Sequence, residues 1–323
     1  MTPLLSVVIP AFNEEQNIAH VYSAVRAALA GLGSFEVIFV DDGSSDGTAA
    51  SVRRLCATGN PARLIRFGRN FGQQAALLAG IEAAKGSAVI TMDCDLQHPP
   101  ELLPKMVAAW RGGARLVQMV RRETADAGWF KRGSSRLFYL LINAVSDTPV
   151  TPGASDYQLL DASVVQAVLQ FRDRQPFLRG LVSWLGFPIT RLEYSAPARE
   201  CGRSGYTVAK MLRLALSALT GLSSRPLRFA LYLGAAAAAI TLAYAAFAVA
   251  AMANGRTIPG WTSVIVIVTF LGAVQLISVG ILGEYIGRIY EQSRGMPRFV
   301  VVETDDESND EVVIRRDART GAG

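Results

Sequence analysis

The sequence predicts an α/β domain with a mostly parallel sheet, followed by membrane-surface helices and two transmembrane helices near the carboxyl end. Three observations carry that expectation. Short β-branched runs alternate with helical stretches through the amino-terminal third. Two of those runs stop in acids, at Asp41-Asp42 and at Asp93-Cys94-Asp95. Two later stretches, from Arg228 to Arg256 and from Arg256 to Glu284, contain no charged residue between their ends. Each exceeds the ~20 residues needed to cross a ~30 Å hydrocarbon core.

Leu4 to Pro10 reads as a first buried strand, and Pro10-Ala11-Phe12-Asn13-Glu14-Glu15 turns it into a helix that runs to about Leu29. Phe35 to Val40 is a second strand, running into Asp41-Asp42-Gly43-Ser44, with a helix from about Thr48 to Cys56 after it. Ala62 to Phe67 is a third strand, and Gln73 to Ala84 an alanine-rich helix. The strand ending at Met92 then meets Asp93, and Pro99-Pro100 opens the next helix. Extended alternation points Asp93 and Asp95 to one side, at the carboxyl edge where open parallel sheets bind ligands. Two carboxylates and the Gln97 amide make an oxygen-rich corner suited to Mg²⁺ or Mn²⁺ beside a diphosphate. A strand end capping the next helix is the alternative on this stretch alone. Arg115 to Val120 is a further strand.

Composition narrows the classes. Hydrophobic residues make up 50% of the 323, and formal net charge is +5. From Glu303 onward seven acids face three arginines, a net of −4, so the remainder carries +9, which suits phosphates or an anionic bilayer. Three scattered cysteines (Cys56, Cys94, Cys201) and two histidines (His20, His98) exclude a zinc cluster and a disulfide framework. Met1 to Pro10 lacks the basic segment and long apolar core of a secretory leader. No glycine pattern matches a dinucleotide or P-loop fingerprint.

Three motifs in order, Ser6-Val7-Val8-Ile9-Pro10-Ala11-Phe12-Asn13-Glu14-Glu15, Val40-Asp41-Asp42-Gly43-Ser44 and Met92-Asp93-Cys94-Asp95-Leu96-Gln97-His98-Pro99-Pro100-Glu101, resemble family 2 glycosyltransferases. Within that family the resemblance is to the dolichol-phosphate mannose synthase-like branch, which loads a sugar onto a polyprenyl phosphate. It implies a GT-A nucleotide-sugar-binding domain, an inverting transfer, and Mg²⁺ or Mn²⁺ as cofactor. By the same resemblance Pro10, Phe12, Glu14, Asp41, Asp42 and Asp93 serve the donor nucleotide, while Asp95 and Gln97 hold the metal. Asp156 falls at the position proposed as general base or acceptor organiser, and Asp95 joins it in the catalytic set. The acceptor phosphate is expected at Arg121, Arg132, Ser135, Arg199, Arg203 and Ser204, because guanidinium forks match phosphate oxygens. In Arg199-Glu200-Cys201-Gly202-Arg203-Ser204-Gly205-Tyr206, Gly205 stands where the family usually has lysine, so one expected cation is absent from the loop.

The implied organisation is a catalytic domain over 1–206, including a membrane-surface helix near 129–146, and an amphipathic juxtamembrane helix over 207–228. A two-helix transmembrane segment follows over 229–284, then a cytoplasmic segment and flexible tail over 285–323. Arg225 and Arg228 precede the first span, Arg288, Arg294 and Arg298 follow the second, and Arg256 alone lies between, which places both termini in the cytoplasm of a plasma-membrane protein. Partners implied are a nucleotide sugar (UDP-glucose first, with mannose, GlcNAc or aminoarabinose donors as alternatives), a polyprenyl phosphate, membrane lipids and further copies of the chain, with no nucleic acid. A processive polysaccharide synthase is disfavoured by the lack of a Gln-x-x-Arg-Trp motif and of further spans. A catalytically inactive membrane scaffold or lipid-translocation partner is the alternative of another class.

Overall fold

The computed structural model describes residues 4–121, 153–171, 178–194, 225–254 and 260–304. These fall into two units: a sheet-centred unit of the described residues up to Tyr194 together with 296–304, and a helical unit of 225–254 and 260–295.

In the first unit, β1 (Leu5–Ala11), α1 (Ile18–Leu29), β2 (Phe35–Asp41), α2 (Thr48–Ala57), β3 (Ala62–Phe67), α3 (Gln73–Ala83) and β4 (Ala88–Thr91) alternate as expected. A 3₁₀ turn at Pro100–Leu102 leads into α4 (Leu103–Arg111) and β5 (Leu116–Arg121). Beyond these come β6 (Ala154–Asp161), α5 (Ala162–Gln170), α6 (Leu178–Trp184), β7 (Ile189–Tyr194) and β8 (Val301–Thr304). The eight strands form one sheet in the order β7-β5-β6-β4-β1-β2-β3-β8.

Strands β4, β1, β2 and β3 are mutually parallel, as are β5 and β7, whereas β6 and β8 run antiparallel to their neighbours. The first connection carries the chain to one side of β1 and the third brings it back to the other. The order of winding therefore reverses at β1, and the crevice at the carboxyl ends of β1 and β4 is the place such sheets offer a ligand.

Period-two alternation divides the strand residues between two faces. Leu5, Val7, Ile9, Val37, Phe39 and Ile90 join Val21, Val25, Val52, Met106 and Val107 in one buried cluster. Val8, Ile38, Val40 and Val89 join Leu77, Leu78, Ile81, Val164 and Val182 in the other. Each large apolar side chain so buried contributes about 1.5–3 kcal/mol. The small residues of α3 let it lie close to the sheet: a Cβ at Gly80 would fall 2.2 Å from Val8 Cγ1. That close seat brings Gln73 and Gln74, at the amino end of α3, up to the crevice.

Strand β8 was not anticipated. Glu303 and Thr304, expected to begin a flexible tail, are paired with β3, and Phe299 stacks on Phe67 with centroids 5.0 Å apart. Val300-Val301-Val302 is a β-branched run that the sequence reading passed over, and the edge of β3 supplies its partner. The rest of the expected tail, the surface helix near 129–146 and most of the 207–228 helix lie outside the described residues.

The second unit is a pair of long helices, α7 (Arg225–Ala253) and α8 (Trp261–Ser293), in contact with each other. Leu227–Ala251 and Val266–Ser293 are long and apolar enough to cross a membrane, and very little of either stretch is buried. Exposed Leu231, Ile240, Leu242, Val268 and Leu276 leave an apolar surface that suits lipid rather than water. The second helix continues beyond residue 284, where the expected transmembrane segment ends, as far as Ser293.

Candidate active site

The loop after β1 and the turn after β2 build one rim of the crevice. Asp41 is fully buried; its Oδ1 accepts from the Ser44 backbone N–H at 2.9 Å. Ser44 Oγ in turn accepts from Asn13 N–H at 2.9 Å, and Asn13 Oδ1 accepts from Ser45 N–H at 2.9 Å. Asn13 and Gly43 sit in the left-handed region, with φ of 56° and 71°. A Cβ at Gly43 would lie 2.4 Å from the Arg69 carbonyl carbon, so only glycine lets the two backbones approach this closely. Asp42 faces the other way, accepting from Phe71 N–H at 2.7 Å and Gly72 N–H at 2.9 Å, and burial lifts its pKa. Phe12 stands 47% exposed on the same rim, an aromatic face open to a planar ring. Glu14 is turned back along its own loop, its carboxylate accepting from Asn17 Nδ2 at 2.5 Å, and Pro10 lies within β1.

Beside this rim, β4 stops at Thr91, so Asp93 and Asp95 stand in a turn and not on an extended strand. The alternation argument for their shared side therefore does not hold. Leu96 adopts a φ of 55°, Asp95 Oδ1 accepts from Gln97 N–H at 3.2 Å, and His98 Nδ1 accepts from Asp93 N–H at 2.9 Å. These side-chain contacts replace strand hydrogen bonds and fold the acids into one corner. The imidazole is buried, stacked on Tyr157 with centroids 4.9 Å apart, and burial holds its pKa down at about 4. Its Nδ1 acceptor role fixes the remaining proton on Nε2, 3.5 Å from Asp93 Oδ2. Asp93 also accepts from Gln73 Nε2 at 2.7 Å. Burial first, then the carboxylates of Asp156 and Asp95, push its pKa up to about 7.

Across the crevice, Asp156 on β6 is 2% exposed and fully engaged. Its Oδ1 accepts from Arg179 Nε at 2.7 Å, and its Oδ2 from Arg179 Nη2 at 2.9 Å and Gln74 Nε2 at 3.1 Å. Gln74 Oε1 accepts from the Leu178 N–H at 3.1 Å, which ties the start of α6 to the same group. A carboxylate gripped by both arms of a guanidinium and by an amide is suited to holding other groups in place. Arg121 lies exposed at the end of β5, while Arg132, Ser135, Arg199, Arg203 and Ser204 lie outside the described residues.

The corner suits a divalent cation. Asp156 and Asp95 raise the proton affinity of Asp93 here, a sign that negative charge gathers at this corner. Asp95 and the Gln97 carbonyl provide hard oxygen donors. Among the described residues no group of three or more His, Cys, Asp or Glu is arranged to hold a metal alone. The remaining donors would come from phosphate and water, as is usual for Mg²⁺.

The structure places Asp41 and Asp42 after β2 and Asp93, Asp95 and Gln97 after β4, at the carboxyl edge of the sheet where the sequence reading expected them. That reading missed His98, Gln73, Gln74 and Arg179. His98 was inside a quoted motif; Arg179 follows an unremarkable Phe177-Leu178, and only the fold brings it to Asp156.

Set beside known proteins, the glycosyl transferase family 2 model matches residues 6–169, which span the rim, the acid corner and Asp156. The chain belongs to glycosyl transferase family 2. Its mixed sheet is the GT-A fold of that family, and the GtrB C-terminal hairpin model matches residues 225–289. An uncharacterized glycosyltransferase of Synechocystis, sll0501, is 36% identical over 303 residues, covering 93% of this chain and 95% of its own. The bactoprenol glucosyl transferase of Shigella phage SfV is 36% identical over 300 residues, covering 92% and 97%. Among solved structures, glucosyl-3-phosphoglycerate synthase of Mycobacterium tuberculosis covers 69% of this chain and 80% of its own at 21% identity, with a TM-score of 0.45. The mannosyltransferase PcManGT of Pyrobaculum calidifontis, solved with GDP-Man and Mn²⁺, covers 86% and 88% at 18% identity and a TM-score of 0.45.

Proposed function

We propose that this family 2 glycosyltransferase moves glucose from UDP-glucose to a polyprenyl phosphate lying in the bilayer, giving a polyprenyl-phosphate sugar for cell-envelope glycans and releasing UDP. The observation that carries the reading is the end-to-end similarity to bactoprenol glucosyl transferases, which covers 92% of this chain and so takes in the acid corner and the helical hairpin together. The rim of Pro10, Phe12, Glu14, Asp41 and Asp42 takes the nucleoside, and Asp93 faces the ribose and diphosphate. The flanking arginines of the two spans favour a cytoplasmic catalytic domain, on the side where nucleotide sugars are made.

In this reading an oxygen of the lipid phosphate attacks the anomeric carbon opposite the diphosphate. The bond from that carbon to the diphosphate oxygen breaks, its electron pair leaves with the diphosphate, and the configuration inverts. A phosphomonoester with a second pKa near ~6 is already largely ionised at neutral pH, so the nucleophile needs little help from a base. Asp156, held by Arg179 and Gln74, orients groups around the reacting centre. Asp95 and Gln97 would hold Mg²⁺ or Mn²⁺, which supplies Lewis-acid neutralisation of the departing diphosphate.

Purified protein incubated with undecaprenyl phosphate, Mn²⁺ or Mg²⁺ and radiolabelled UDP-glucose is expected to yield label in the organic phase. GDP-mannose, UDP-GlcNAc and a UDP-aminoarabinose complete the donor panel and decide the sugar. No organic-soluble product from any donor overturns the reading. Full activity in Asp95→Ala overturns the metal assignment.

A further inference from the structure

Three residues stand side by side across three adjacent strands: Asp41 at the end of β2 pairs in register with Arg66 of β3, and Arg66 with Glu303 of β8. Their side chains continue the line. Arg66 Nε lies 3.3 Å from Asp41 Oδ2, and Arg66 Nη1 lies 3.7 Å from Glu303 Oε2. Glu303 is itself gripped by Arg53 of α2, at 2.5 Å and 2.8 Å, and these arginines hold its carboxyl below the usual range. Asp41 and Arg66 each present a buried atom, Oδ2 and Nε, that makes no hydrogen bond, so the contact between them is electrostatic and imperfectly aligned. The guanidinium can therefore turn away unless something holds it from the far side. Past Asp41 the connection runs on through Ser44 to Asn13, between Phe12 and Glu14.

We propose that Glu303 is a positioning residue for donor binding: from the strand entered after the helical hairpin, it sets Arg66 against Asp41 and thereby fixes the Asp41–Ser44 turn on which the nucleoside rests. The proposal rests on the reading of Asp41 and Phe12 as the donor rim. A cation facing a fully buried carboxylate matters more than an exposed pair, because the carboxylate has surrendered its hydration. Glu303 touches no substrate in this arrangement; it acts through Arg66.

The test is isothermal titration of the full-length protein in detergent, with Mn²⁺ present and UDP and GDP as separate probes. Glu303→Ala is expected to weaken the nucleotide that the wild-type protein binds by about fivefold, an effect well inside what ~1.4 kcal/mol per decade makes measurable. Glu303→Asp is expected to recover part of that loss, and the donor KM should rise while kcat holds. Arg53→Ala is the control, since it removes the other partner of Glu303 and leaves Arg66 in place. Unchanged affinity in Glu303→Ala overturns the proposal. So does an equal loss in Arg53→Ala, which would show that strand attachment alone matters. A wild-type protein that binds neither nucleotide overturns the donor reading and this proposal with it; wild-type binding matched by Glu303→Ala overturns the proposal alone.

Discussion

At the scale of single residues, Asp93 and His98 set opposite pH dependences within one corner. Folded Asp93 keeps its proton up to about pH 7, against an ordinary value of 3.8, so it favours the folded state at low pH and loses that contribution as pH rises through 7. His98, held at about 4 against 6.5, contributes stability above pH 6.5 that is lost as pH falls towards 4. Between those limits the two slopes oppose. Asp93→Asn, melted in EDTA, is expected to gain about 2–4 °C over wild type at pH 8 and to lose stability more steeply than wild type from pH 6.5 to pH 5. Parallel melting curves across that range would contradict the pairing. Arg179→Ala strips Asp156 of two hydrogen bonds and leaves a buried carboxylate facing only Gln74. Because the guanidinium is 30% exposed, the expected cost in urea denaturation is discounted to about 1–3 kcal/mol, and the transfer rate should fall with it. The acids of this corner were legible because two strands visibly end in them. Asp156 was named only through the family resemblance, and Arg179 and Gln74 not at all, since the three come from separate elements and meet only through the sheet order.

At the scale of elements, the strand and helix limits of the first three βα units follow from pattern: Ala62–Phe67 and Thr48–Ala57 lie within a residue of the sequence reading. Each such strand is buried on both faces and reads as a β-branched run, the signature of a central parallel strand. The antiparallel β6 is broken by Ser155, Asp156 and Gln158, and the direction of β6 and β8 is fixed by which edge is available and not by local sequence. The turn after β2 gives a sharp test. Gly43→Ala places a Cβ against the Arg69 backbone at a φ of 71°, so the turn must shift. The expected outcome is a destabilisation of about 1–3 kcal/mol together with weakened nucleotide binding, read by urea denaturation and titration calorimetry. Gly72→Ala is the comparison: it shares a positive φ of 97° but has open space around its Cβ.

At the scale of the whole molecule, the catalytic sheet is interrupted in sequence by the hairpin and resumes after it at β8. The two long apolar helices were legible from charge-free length alone; the return of the chain to the sheet was not, because it depends on an edge made far upstream. A variant in which a flexible Gly/Ser linker replaces residues 225–295 is expected to keep nucleotide binding within about threefold of wild type, while a chain ending at Ser224 binds more weakly. Neither should glucosylate undecaprenyl phosphate in vesicles at the full-length rate. Equal nucleotide binding by the two shortened chains would contradict a role for β8. The same interruption also has a consequence for biosynthesis. A ribosome delivers β3 early, with its outer edge unpaired, and delivers β8 only after both apolar helices have emerged. An open strand edge is an invitation to pair with another chain, and Arg66, the β3 residue that pairs with Glu303, is a charged residue at that edge. Once β8 arrives, Arg66 is the middle of the finished ladder, with Asp41 on one side and Glu303 on the other.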